Sequence, residues 1–382
     1  MRSALFVALA LVACGDNRPG IPTSSGDDDT IVDAPVIQSG PPRAVAVAGD
    51  FTSGDPGVMS VLDVQTMTVM QNVAPAGAVD SDPILRKFGD ELFVINRSAN
   101  NITILNASDY SLVEQIGTGA GSNPQDVAVV GNNLFVPVYG GSGIVELTRG
   151  STTITRIALA MDDPDGHPNC ASIYRVDNAL YVACQNLDGS FVPRTAGKIY
   201  VVDVATLTVN PAKTITLTYQ NPFSLIERVP GGGAMAGDLV VATVTDFSGS
   251  TGCAERFTPG ATPTYQGCLA QDSDLVGWVN RIDFLTLGNN DTLMWLAVAE
   301  AFPNAALRGY DLGTQALWAD PISPSTEQIT EAVACPDGSI VASDSATGST
   351  GLRLYNSGAV EQTTSALSIG IAHVSGHGIA CY

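Results

Sequence analysis

The feature that most constrains this chain is its self-similarity. Residues 57–69 read GVMSVLDVQTMTV and residues 197–209 read GKIYVVDVATLTV, with seven of thirteen positions identical and three more exchanging one aliphatic residue for another. A looser copy, RGYDLGTQAL, spans 308–317. A second motif, a small or polar turn leading into an apolar strand, recurs as GDELFV at 89–94, GNNLFV at 131–136 and DNALYV at 177–182, with weaker versions at 237–241, 291–296 and 337–341. Aligned on this strand, Leu92, Leu134, Leu180, Leu239, Leu293 and Ile340 are 42, 46, 59, 54 and 47 residues apart, and Val47 before them and Ile379 after them extend the series. Periods of this length mark stacked supersecondary units, none of which can bury its own apolar faces alone.

Those units are β. Strand-forming residues dominate, the turns are rich in Gly, Asn and Asp, and no well-capped helical window occurs. The best helical candidate, 297–307, is interrupted by Pro303 where the repeat calls for a loop between strands. Runs such as LFVPVY and DLVVATV are apolar on both faces, as in sheets covered on both sides by neighbours. Four-stranded units of this length arranged about an axis form a β-propeller, an all-β fold. Seven four-stranded blades fit best, with an eighth, partial blade as the alternative. The C-terminal GIAHVSGHGIACY is expected to return and close the ring beside the N-terminal blade. Residues 92–136, LFVINRSANNITILNASDYSLVEQIGTGAGSNPQDVAVVGNNLFV, resemble the YVTN-type β-propeller repeat of bacterial and archaeal surface proteins, with degenerate copies over 44–382 and the largest departures in 221–325. The resemblance implies a fold rather than an activity, because such propellers host binding, structural and enzymatic roles.

Residues 1–13 read as an export signal: Arg2 supplies the positive start, and residues 4–12 form an apolar run too short to span a bilayer. The sequence Leu-Val-Ala-Cys ending at Cys14 resembles the bacterial lipobox, which implies lipidation of Cys14; an ordinary signal peptide with a chance cysteine is the alternative. Gly15 follows the cysteine where an inner-membrane retention signal would carry Asp, so the resemblance favours the outer membrane, on its periplasmic or surface side. Residues 14–43 then read as the lipidated cysteine and a disordered tether. The 29 residues after Cys14 are rich in Pro, Gly, Ser and Asp and would span roughly 30 Å as a random coil. Residues 44–382 form the propeller domain. The other six cysteines account for the odd total of seven. Cys170 and Cys184 are equidistant from a turn near Asp177, Cys253 and Cys268 are rough mirror positions about 259–261, and Cys335 and Cys381 pair by elimination. Reduced core thiols are the alternative.

Acidic residues outnumber basic ones 38 to 17, and the only lysines are Lys87, Lys198 and Lys213. That balance argues against nucleic acid and anionic lipid surfaces as partners, leaving the N-terminal lipid as the expected membrane contact and a monomer as the expected state. No P-loop, nucleophile elbow or paired-cysteine metal motif occurs, so no catalytic residue is assigned. His167, His373 and His377 would need to converge with a carboxylate to hold a metal, and none is predicted. The acidic 162–166 turn, DDPDG, departs from a calcium loop in spacing and lacks its terminal glutamate, so no cofactor is expected, an isolated calcium ion being the alternative. The recurring Asp-x-x-Thr of Asp63/Thr66, Asp203/Thr206 and Asp311/Thr314 reads as turn capping. The entrances to the innermost strands, at Asp82, Asn123, His167, Asn221 and Asn280, are the candidate ligand face, joined there by loops 186–197, 246–252 and 299–307. The leading expectation is a lipid-anchored propeller that binds a protein or glycan or serves the envelope structurally. The alternative is a propeller enzyme of lactonase or quinoprotein-dehydrogenase type, with its site at the channel mouth.

Overall fold

The computed structural model describes residues 41–50, 55–159, 163, 165–245, 247, 251–287, 291–300, 303–372 and 376–382. Within them the chain folds into seven small antiparallel sheets, each built from strands consecutive in sequence except one. The exception is blade 1, whose order is Gly376–Cys381, Arg43–Gly49, Val58–Asp63 and Thr68–Met70, so the C-terminal strand is the innermost of the first blade. Blades 2 to 7 begin with inner strands Pro83–Phe88, Ala128–Val130, Cys170–Val176, Glu227–Arg228, Trp278–Thr286 and Ile329–Ala334. Blade 7 has three regular strands and completes its outer edge with single bridges, Leu352 to Leu367 and Tyr355 to Glu361. The molecule is a seven-bladed β-propeller.

Both-sided apolar strands follow from this geometry. In strand Glu91–Asn96, Leu92 and Val94 point into the gap with blade 1 while Phe93 and Ile95 point into the gap with blade 3. The buried apolar side chains of the described residues fall into seven clusters, one in each gap between neighbouring blades. The aligned residues Leu92, Leu134, Leu180, Leu239 and Ile340 are fully buried and Leu293 nearly so, each in the second strand of its blade, where Val47 also lies. Ile379 does not continue that series: it sits in the innermost strand of blade 1, and the described residues form no eighth blade. The stretches 57–69, 197–209 and 308–317 occupy the third strand, turn and fourth strand of blades 1, 4 and 6. Their turns are capped as the sequence predicts: Asp63, Asp203 and Asp311 each accept at 2.9 Å from the backbone N–H of Thr66, Thr206 and Thr314.

The closing strand pairs with Arg43–Gly49 from Ala44–Cys381 to Gly49–Gly376, and Arg43 and Tyr382 exchange both backbone hydrogen bonds. Gly378 passes so close to blade 2 that a Cβ there would lie 2.4 Å from the Leu85 nitrogen. The six cysteines described form three disulfides. Cys170 and Cys184 face each other across their hairpin, whereas two register shifts put Cys253 diagonal to Cys268. Cys335–Cys381 joins blade 7 to the closing strand. Cys14 and the tether lie outside the described residues, and no helix of the described residues is long and apolar enough to cross a membrane. Three disulfides fit a chain that folds in an oxidising compartment.

The seam disulfide closes a 46-residue separation against 15 for Cys253–Cys268. In the chain-entropy picture it contributes about 4 kcal/mol against about 3. Replacing both seam cysteines with serine should therefore lower the denaturant midpoint more than replacing both Cys253 and Cys268. Guanidinium unfolding followed by tryptophan fluorescence measures this, and the reverse order would contradict the seam's role.

Candidate functional site

The inner strands carry charge into the channel. Arg86 of blade 2 donates Nε and Nη2 to the Asp126 carboxylate at 2.7 and 3.0 Å, and Nη1 to Glu227 Oε1 at 2.7 Å. Asp126 leads into blade 3, while Glu227 opens blade 5. Asp126 Oδ2 also accepts from Ser172 Oγ and the Ile173 N–H of blade 4, and Ser172 Oγ accepts from the Ile226 N–H. Arg281 of blade 6 lies 3.0 Å from Glu227 Oε1 and 2.8 Å from Glu331 Oε1 of blade 7. Asp283 Oδ2 accepts from the Ala334 N–H at 2.8 Å. Blades 2 to 7 are thus tied through one polar chain, which is how buried charge is tolerated.

Two guanidinium groups here face four carboxyls, Asp126, Glu227, Asp283 and Glu331. Burial, reinforced by Glu227, pushes Asp283 up to about 6. Burial likewise pushes Glu331 up to about 7, against the pull of Arg281. The same carboxylates hold Arg86 and Arg281 protonated despite their burial.

Above this floor, on the face where the inner strands begin, opens a cavity of about 500 Å³, within the usual range for small-molecule sites. Four amides line it: Asn123, Gln125, Gln185 and Asn280. Two aromatic side chains, Tyr139 and Phe223, and two sets of charges, Asp82 with Arg97 and Arg281 with Glu331, complete its polar and flat surfaces. Several of these are held firmly. Gln125 Nε2 donates to Asn123 Oδ1 at 2.6 Å, and the Asn123 N–H donates to Asn100 Oδ1 at 2.8 Å. Asn123 takes a left-handed φ of 47°, which asparagine tolerates. Trp278 Nε1 donates to Asn280 Oδ1 at 3.1 Å, and Arg97 pairs with Asp82. Burial pushes the Tyr139 hydroxyl up to about 12. Other polar atoms have no aligned partner: Arg97 Nε, Thr330 Oγ1, and Nε and Nη1 of Arg281, whose N–H groups miss the carboxylates beside them. Buried donors left unmade are costly unless something else accepts from them.

Of the five strand entrances picked from sequence, Asp82, Asn123 and Asn280 line this cavity. Asn221 is buried instead, donating Nδ2 to the Val244 carbonyl at 2.9 Å, and so braces its loop. His167 is exposed, and its backbone N–H is held by Asp165. Asp163 Oδ1 accepts from the N–H groups of Asp165 and Gly166, while Asp162 lies outside the described residues. His373 and the His377 side chain also lie outside them, and no group of three or more metal-ligating side chains occurs among the described residues. Arg97, Gln125, Tyr139, Gln185, Arg281 and Glu331 carry no motif. A usable signal existed for some residues: charge inside otherwise apolar inner strands, as in PILRKF, WVNRIDFLT and ITEAVA.

Compared with known proteins, the chain matches no family model and no curated protein. Among solved structures it is similar to a putative 6-phosphogluconolactonase from Bacteroides uniformis, with TM-score 0.63, 8% identity, and coverage of 90% of this chain and all of that one. It is similar to the periplasmic gluconolactonase of Pseudomonas aeruginosa, with TM-score 0.60, 13% identity and coverage of 88% and 99%. Apo AztD from Citrobacter koseri gives TM-score 0.53, 12% identity and coverage of 89% and 98%. At such identities the likeness is one of fold, and function must be argued from the mouth.

Glu331 and Asp283 keep protons in the folded chain at pH values where the unfolded chain has released them. Between about pH 4 and 7 the folded state therefore binds more protons, and unfolding free energy falls as pH rises. Their contribution is complete below about pH 4 and gone above about 7. Melting temperature should fall from pH 5.5 to 8, and Glu331→Gln should flatten that slope. An unchanged slope in the variant would show that Glu331 is ionised throughout.

Proposed function

We propose that this protein is a non-catalytic binding propeller whose channel mouth takes a neutral, hydroxyl-rich ligand, a sugar or polyol. The observation that carries the reading is the composition of the mouth. Its wall sets four amides and two aromatic rings among a few aliphatic side chains, Ile84, Leu85 and Leu225, and its formal charges are set against one another. Hydroxyl groups both donate and accept, as side-chain amides do, so the two suit each other. A net charge of −21 disfavours anionic ligands. The test is calorimetric titration with a panel of neutral monosaccharides and polyols. Gln125→Ala and Asn280→Ala should each weaken binding about tenfold, roughly the loss of one good hydrogen bond. Absence of binding across the panel would overturn the reading.

A second reading, hydrolysis of a sugar lactone, is favoured by one specific observation: Glu331, poised near neutrality, lines the same cavity beside Arg281. Turnover of gluconolactone above the spontaneous rate, abolished in Glu331→Gln, would establish it in place of the binding role.

We further propose that the chain is an envelope lipoprotein of YVTN-type ancestry, anchored by lipid on Cys14 and a flexible tether. Supporting this are the Leu-Val-Ala-Cys context and the full use of the other six cysteines in disulfides. Mass spectrometry of the mature N-terminus should show a diacylglyceryl adduct, and Cys14→Ser should move the protein from the membrane to the soluble fraction. An unmodified N-terminus would overturn the anchor.

A further inference from the structure

We propose that the mouth binds a glycan chain rather than a single sugar, with further rings resting on two aromatic platforms at its rim; this rests on the sugar-binding reading above. The first platform belongs to blades 3 and 4, where Phe191 stacks on Tyr139 with centroids 6.3 Å apart and an interplanar angle of 14°. The second belongs to blades 5 and 6, where Phe247 meets Phe223 at 5.5 Å and Trp278 at 5.6 Å, both edge to face. Each platform is built into the cavity wall, because Tyr139 and Phe223 line it and Trp278 holds the lining residue Asn280.

The rings are also open outward. Phe191 is 67% exposed, Phe247 56% and Phe223 39%. Large apolar faces left in water beside a polar cavity mark a recognition surface. Their occupant is defined by what lies between and around them. The carbon-bound faces of a sugar ring are apolar and its rim is hydroxylated, so alternate flat aromatic and amide surfaces suit a neutral oligosaccharide. A polyanionic chain would meet the protein's negative field. An extended peptide would look for a free strand edge, and the blades present theirs at the outer circumference rather than at the mouth.

The test is calorimetric titration of the full chain with neutral glucose and N-acetylglucosamine oligomers of one, two, four and six units, in α and β linkage. In the series that binds, affinity should rise about tenfold or more from monomer to tetramer. Phe191→Ser and Phe247→Ser, at two platform rings that do not line the cavity, should remove most of that gain while leaving monomer affinity and melting temperature unchanged. Gln125→Ala should weaken monomer and oligomer alike. Monomer binding without any gain from length, or full gain in both phenylalanine variants, would overturn the platforms and leave the sugar-binding mouth standing. No binding of any sugar would overturn both. Binding of an unstructured neutral peptide with the same phenylalanine dependence would overturn the glycan as occupant.

Discussion

Closure of the ring by a strand from the far end of the chain is the constraint on which the rest of this structure depends. Seven wedge-shaped sheets each expose two apolar faces, and only a complete circle covers all of them. The pairing of Gly376–Cys381 with Arg43–Gly49 completes blade 1, and Cys335–Cys381 bonds the strand to blade 7. Gly378, with no room for a Cβ, lets it press against Leu85 of blade 2. Once the circle is closed the inner strands are fixed around a narrow channel, and charges placed there must find partners in other blades. Arg86 reaches Asp126 and Glu227, and Arg281 reaches Glu227 and Glu331, at hydrogen-bond distances. Such an arrangement adds little net stability over an apolar channel, yet removing one partner would leave an uncompensated buried charge.

The features legible in the sequence are those repeated in each blade under the same physical demand. The second strands sit in two apolar gaps at once, so Leu92, Leu134 and Leu180 stand in runs without alternation, and the turns before them need Gly, Asn or Asp. The Asp-x-x-Thr turns recur because a tight connection must cap its own backbone. Cys170 and Cys184 were legible because a hairpin fixes which residues face each other. Ile379 misled because an apolar strand in isolation does not reveal its position within a blade, and only pairing with Arg43–Gly49 makes it innermost.

The mouth was less legible, for a reason of the same kind. Its residues come from the first turns of separate inner strands and from loops between second and third strands, so they share a place without sharing a pattern. Asp82, Asn123 and Asn280 were found because turn-forming residues gather at strand entrances. The same logic picked Asn221, whose side chain is consumed in holding Val244, and His167, which stays at the surface. Arg281 and Glu331 are charges set in otherwise apolar strands, and only the closed ring brings them together. The fold alone does not fix what the channel does; the amides and aromatic rings above the polar floor are what an argument for function has to rest on.

Hydrogen exchange read by mass spectrometry, with and without a neutral tetrasaccharide from the binding series, tests most directly that the entrance face is the binding surface above a preformed floor. The account predicts slowed exchange in the loops around 121–125, 185–192 and 221–225. It predicts no change at the Asp63, Asp203 and Asp311 turns on the opposite face, nor in inner strands already protected by the ion chain. Protection confined to those turns, or spread evenly over the inner strands, would contradict it.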